Sequence, residues 1–197
     1  MQLSKKLKDN DFKIKSICKL SIYPEATGFF LKIQKKRNYF FLITCYHALS
    51  RYIKDKSDIE IRLNEEKKYI IELDDKKRLI KCLEDKDIAA IEIIDKDKLK
   101  NCVNFLDIDL NYTNCNEYNQ YINKEIIILE YYNGRILYKK GEIIDIKDKE
   151  FEFKHNIKIK EESEGSPFVL FNNSKAIGIQ KRYSYGSFIA ELLKELD

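Results

Sequence analysis

Short runs of Ile, Val, Leu, Phe and Tyr recur along almost the whole chain, separated by Asn, Asp, Lys and Gly. Each run is too short for an amphipathic helix and has the β-branched and aromatic content that suits a pleated strand. Seven strands are predicted before residue 96: Lys13–Ile22, Gly28–Ile33, Tyr39–Cys45, Ile59–Leu63, Tyr69–Leu73, Leu79–Leu83 and Ile88–Ile94. Seven more follow residue 123: Glu125–Glu130, Arg135–Tyr138, Glu142–Ile146, Phe151–Phe153, Phe168–Phe171, Ala176–Gln180 and Ser187–Ile189. Lys96–Asn123, rich in Asn and Tyr, contains no convincing strand and reads as the connection between two halves.

Two segments leave this pattern. His47–Tyr52 reads as a short helical turn. Phe188, Leu192, Leu193 and Leu196 fall at helical spacing and predict a terminal amphipathic α-helix. The expectation is an all-β fold of two six-to-seven-stranded barrels: residues 12–95, the connection 96–123, residues 124–186, and a C-terminal helix over 187–197.

Composition narrows the function classes. With 44% hydrophobic and 12% aromatic residues among 197, a sizeable core can form and global disorder is excluded. The longest apolar-rich runs, such as Phe40–Cys45 and Ile126–Leu129, fall far short of the roughly 20 residues that cross a bilayer. The 37 basic and 33 acidic residues give a net charge of +4 and are interleaved, as in Lys54–Asp58 and Asp95–Lys98. Only six of the basic residues are Arg, the side chain best suited to bidentate base readout. Both features argue against a nucleic-acid footprint, which clusters charge on one face.

The start of the sequence, Met-Gln-Leu-Ser-Lys-Lys-Leu-Lys, lacks the apolar stretch of a secretion signal. Five Cys without C-x-x-C spacing read as reduced, mostly buried thiols. An intracellular, cytoplasmic protein is expected, with no membrane partner. No metal-ligand spacing, phosphate-cradling Gly-rich loop or dinucleotide fingerprint is present, so neither cofactor nor metal is expected.

Only two His occur. His155 follows Phe-Glu-Phe-Lys in an alternating stretch and reads as an edge or surface imidazole. His47 stands where the chain leaves an apolar strand, in Thr44-Cys-Tyr-His47. Forty residues later comes Asp87, at the mouth of Ile-Ala-Ala-Ile; Asp85 is a nearby competitor. Further on, Glu162-Ser-Glu-Gly-Ser-Pro167 precedes the strand Phe-Val-Leu.

These blocks, in this order and spacing, resemble the Thr-x-x-His, Asp-Ile-Ala and Gly-x-Ser-Gly-Ser/Gly-Pro blocks of trypsin-like (chymotrypsin-fold) serine peptidases, above all their intracellular, disulfide-free relatives. The similar regions run from about Thr27 to the end of the chain. The resemblance implies the two-barrel fold, with His47 as general base and Asp87 as the acid that orients it. In that chemistry a Ser hydroxyl needs an adjacent imidazole to take its proton, and backbone amides stabilise the oxyanion.

The third block departs from the family. The nucleophile stands three residues before Pro, and that slot holds Glu164. The position that is Gly in the family block, where the loop presents an oxyanion amide, is Glu162. A carboxylate attacking an amide would form a mixed anhydride and expel a poor leaving group. Its charge would also oppose an oxyanion formed beside it. The sequence therefore predicts an inactive homologue that binds a protein or extended peptide, or serves as a subunit of a larger assembly. If Glu164 reaches His47, two carboxylates flank the imidazole and should hold it charged. The competing expectation is an active intracellular endopeptidase that uses Ser163, or Ser166, as nucleophile with His47 and Asp87.

Overall fold

The apolar runs assemble into two antiparallel sheets. The computed structural model describes residues 15–23, 25–63, 67–111, 118–132, 135–147, 151–159 and 163–196. The first sheet contains β1 (Ile17–Leu20), β2 (Ala26–Gln34), β3 (Asn38–Thr44), β4 (Ile59–Arg62), β5 (Lys68–Ile71), β6 (Ile80–Leu83) and β7 (Ile88–Glu92). Their order is β5-β4-β1-β2-β3-β7-β6, and β8 (Leu106–Asp107) adds a short parallel pairing to β2. The second sheet contains β9 (Glu125–Tyr132), β10 (Arg135–Lys147), β11 (Glu152–His155), β12 (Pro167–Leu170), β13 (Ala176–Gln180) and β14 (Tyr185–Phe188). It closes as β10-β11-β14-β13-β12-β9.

The all-β, two-sheet expectation is met, with a difference in closure. The second sheet is a complete six-stranded barrel, whereas the first is curved but open, with β5 and β6 at its ends among the described residues. The predicted strands Arg135–Tyr138 and Glu142–Ile146 are one strand, β10, running through Gly141. A Cβ at Gly141 would stand 2.4 Å from both Asn156 Oδ1 and Ile157 Cγ1. Glycine lets the segment after β11 cross there, and the strand continues beneath it.

Connection and terminus also differ from expectation. Among its described residues the connection carries two 3-10 helices, Lys98–Asn101 and Tyr118–Tyr121, besides β8. The terminal helix is a 3-10 helix, Ile189–Glu195, and Phe188 belongs to β14. With three residues per turn, Ile189 and Leu192 form one ridge and Ala190, Leu193 and Leu196 the next, and all five are buried. Glu191 accepts a 2.7 Å hydrogen bond from Tyr118 Oη and pairs with Lys194, which ties the terminus to the connection.

The core spans both sheets. In the second barrel Phe153, Phe168 and Phe188 are buried and in ring contact, with Tyr118 stacked on Phe188 at 4.0 Å between centroids. Each buried phenyl contributes on the order of 1.5–3 kcal/mol. No helix among the described residues is long and apolar enough to cross a membrane.

Candidate functional site

The site forms where the end of β3 meets the loop before β12. After β3 the chain turns into α1 (Tyr46–Lys54), whose N-cap position, Cys45, supplies no side-chain cap. The missing cap comes from Asp87. Its Oδ1 accepts the His47 backbone N–H at 2.9 Å and its carbonyl accepts that of Tyr46 at 3.2 Å. A carboxylate at a helix start also meets the positive end of the helix dipole. Pairing of Thr44 with Ala89 between β3 and β7 sets this register. Asp87 itself sits in the left-handed region (φ 56°) at the end of the 3-10 helix Glu84–Lys86.

The same carboxylate holds the ring. Asp87 Oδ2 is 2.8 Å from His47 Nδ1, so the Nδ1 proton is donated to the acid. On the ring's far side, Nε2 lies 2.9 Å from Glu164 Oε2. An imidazole bonded to a carboxylate at each nitrogen donates from both when it is the cation. His47 is accordingly raised above its ordinary value of 6.5: the Asp87 hydrogen bond leads, burial opposes, and the charges of Asp87 and Glu164 add to the rise. Burial works to raise the Asp87 carboxyl, but the ring and backbone bonds of His47, with its charge, leave it below its ordinary value.

Glu164 is delivered by the second barrel. Its carbonyl accepts Thr27 N–H of β2 at 3.0 Å, and Gly165 N–H donates to Gln180 O of β13 at 2.9 Å. Gly165 has φ +87°, and a Cβ there would stand 1.9 Å from Thr27 O and 2.8 Å from Thr44 Oγ1. Glycine is therefore required both for the backbone angle and for the close approach of the two sheets. Thr44 Oγ1 closes the contact by donating to Thr27 O at 2.8 Å.

All three residues singled out in the sequence, His47, Asp87 and Glu164, come together. Asp85 does not; it is exposed and paired with Lys86. The serines are turned elsewhere. Ser163 Oγ is buried and donates to Glu130 Oε1 at 2.5 Å, with Lys139 Nζ 2.7 Å from the other carboxylate oxygen. Lys139 provides charge there without hydrogen-bond alignment. Ser166 is fully buried, and its Oγ has no hydrogen-bond partner among the described residues. Glu162 lies outside the described residues.

Beside His47 and Asp87 opens a groove of about 460 Å³, lined also by Tyr46, Glu84, Lys181 and Tyr183. The groove is lined by acidic as well as basic side chains. Tyr46 Oη donates to Glu84 at 2.8 Å, Lys181 pairs with Glu152, and Arg182 Nε stands 3.7 Å from Glu164 Oε1. The cations of the groove are thus largely answered from within the protein. Their acidic neighbours are dispersed in sequence, so no local pattern signals them.

His155 reverses its expectation. It is 1% exposed, inside the second barrel. Nδ1 accepts Ile157 N–H at 3.2 Å, so Nε2 carries the proton and donates to Gln180 Oε1 at 3.0 Å. Burial holds this imidazole below its ordinary value.

One group of potential metal ligands exists among the described residues: Cys45 Sγ, with His47 and Asp87, all within 4.8 Å of one another. These atoms are otherwise engaged. The thiol, pushed well up by burial, donates to Gln180 O at 3.2 Å, and His47 and Asp87 share a proton.

No family model matches the sequence, and no curated protein matches it. Solved structures do. The crystal structure of Deg5 superposes with a TM-score of 0.68 at 11% identity, covering 98% of this chain and 92% of that one. The protease domain of MamO from Magnetospirillum magneticum gives 0.60 at 11%, covering 95% and 98%. A catalytically inactive tobacco etch virus protease complexed with substrate gives 0.61 at 13%, covering 94% and 86%. The likeness is one of fold: two β-sheets arranged as in trypsin-like serine proteases.

Proposed function

We propose that this trypsin-like fold is a catalytically inactive protease homologue that works by binding an extended peptide or protein segment, or as a structural subunit. The observation that carries the reading is the Glu164 carboxylate 2.9 Å from His47 Nε2, where a peptidase places its nucleophile. A general base must have Nε2 free to accept a proton, and an imidazolium held between two carboxylates cannot accept one. An oxyanion forming next to Glu164 would meet a negative charge instead of neutral donors. Ser163 and Ser166 supply no replacement, since one hydroxyl is committed to Glu130 and the other is buried. The groove beside His47 remains available for recognition. An edge that accepts main-chain hydrogen bonds needs no chemistry to hold an extended segment. We place the protein in a reducing intracellular compartment, in keeping with the fully buried thiols of Cys18 and Cys45.

A fluorophosphonate probe tests the reading. The native protein should remain unlabelled, and Glu164→Ser, which returns an alcohol to the slot, should gain labelling that depends on His47. Labelling of the native protein that disappears in Ser163→Ala or Ser166→Ala would establish an active peptidase instead.

A further inference from the structure

At the other end of the first sheet, β5 presents an edge that no strand covers among the described residues. β5 pairs only with β4, in the register Ile59–Ile71, Glu60–Ile70, Ile61–Tyr69 and Arg62–Lys68. Leu63 N–H donates to Lys67 O, so positions 63 and 67 form a hydrogen-bonded pair of this ladder. Antiparallel pairs alternate, which makes 61/69 and 59/71 bonded and leaves 62/68 and 60/70 without mutual bonds. Glu60 confirms the phase, because its carbonyl turns away to accept the N–H of Ser21, just after β1. The backbone N–H and C=O of Lys68 and Ile70 therefore face the open edge, and extending the period brings Glu72 into line.

The side chains on this edge are themselves patterned. Ile70 is 61% exposed, while its neighbour Ile71 is buried. Lys68 and Glu72 flank Ile70 on the same face, each about half exposed. An apolar residue between a cation and an anion is complementary to its own reverse.

We propose that β5 is a self-association edge, on which a second copy of this chain pairs antiparallel about a two-fold axis at Ile70. In that register Ile70 meets Ile70 of the second copy, and each Lys68 meets the other copy's Glu72. The groups facing outward, at 68, 70 and 72, are those a hydrogen-bonded antiparallel register needs. Centring the axis on Lys68 or Glu72 instead would place like charges opposite each other, and centring it on Tyr69 or Ile71 would set Ile70 against a charged side chain, so the Ile70 register is the complementary one. Lys68 and Glu72, each half-exposed, exchange their present partners, Glu60 and Lys77, at little cost. A seam this short buries less than the roughly 1,600 Å² of a standard interface, so the dimer is weak and reversible. It is isologous and closed, so it stops at two copies. The inference stands apart from the His47 site.

Sedimentation velocity on the full chain, from micromolar to millimolar concentration, tests it. The wild type should pass reversibly from monomer to dimer. Ile70→Pro removes the central donor of each copy, an N–H that β4 does not use, and should leave a folded monomer. Lys68→Glu and Glu72→Lys should each weaken association by about tenfold, and the double exchange should restore it. A wild type that is monomeric throughout overturns the proposal. So does a double exchange as weak as either single variant. Capture of an unrelated extended peptide at this edge by a monomeric chain would also overturn it.

Discussion

His47 and His155 carry the same side chain through opposite surroundings. His47 lies at the junction of the two sheets, partly open to solvent, with a carboxylate on each ring nitrogen. His155 lies within the closed barrel among Phe168, Gln180 and the backbone of Ile157, with no ionised partner at either nitrogen. One environment stabilises the cation and the other excludes it. The first imidazole is held above its ordinary value and the second below it. The comparison shows that the groups around an imidazole, rather than its own chemistry, decide which protonation state the fold favours.

The largest effect should come from His155→Ala. It opens a cavity in the barrel and leaves both Gln180 Oε1 and the Ile157 amide without their partner. A loss of about 3 kcal/mol is expected in denaturant-induced unfolding. His155→Gln, which can still donate, should lose less.

Asp87→Asn comes next. It removes the charge that caps α1 and holds His47, and should cost about 1–2 kcal/mol. The His47 ring should then titrate lower than in the wild type, with the shift read from its Cε1 proton resonance. Asp85→Asn, on the exposed acid nearby, should change neither stability nor titration measurably.

Smaller effects should appear in the pH dependence of stability, where the two histidines act with opposite sign. His47 has a raised pKa in the folded state, so its stabilisation is complete below the ordinary value of 6.5 and is lost as pH rises through the raised value. His155 has a lowered pKa, so its contribution is complete above 6.5 and is lost as pH falls from there towards the folded value. Stability should therefore decline on both sides of the ordinary histidine range. His47→Gln should flatten the alkaline limb and His155→Gln the acid limb. If both variants keep both limbs, other groups govern the pH response.

Much of the molecule was legible in sequence for a physical reason. Strands half-buried on a sheet impose apolar, β-branched runs, and these located nearly every element of both sheets. The meeting of His47, Asp87 and Glu164 was legible because the local frame is short-range: a strand end before His47, an apolar strand after Asp87, a Gly and a Pro after Glu164. Closure was not legible, because whether β5 and β6 meet depends on curvature spread over the whole sheet. His155 was misplaced because alternation gives the face of a strand but not which face is covered. Gln180, the side chain that satisfies it, lies 25 residues away. Helix type at the terminus was misread because Leu192, Leu193 and Leu196 fit a period of 3.0 as well as 3.6, and only the extended Phe188 decides between them.

The measurement that bears most directly on the proposed role of Glu164 is an NMR titration of His47 in the wild type and in Glu164→Gln. The wild-type ring should titrate above 6.5, and neutralising Glu164 should lower that value while the fold and the Asp87 contact persist. A wild-type His47 that titrates at or below 6.5, unmoved by Glu164→Gln, would contradict the account and return the imidazole to service as a base.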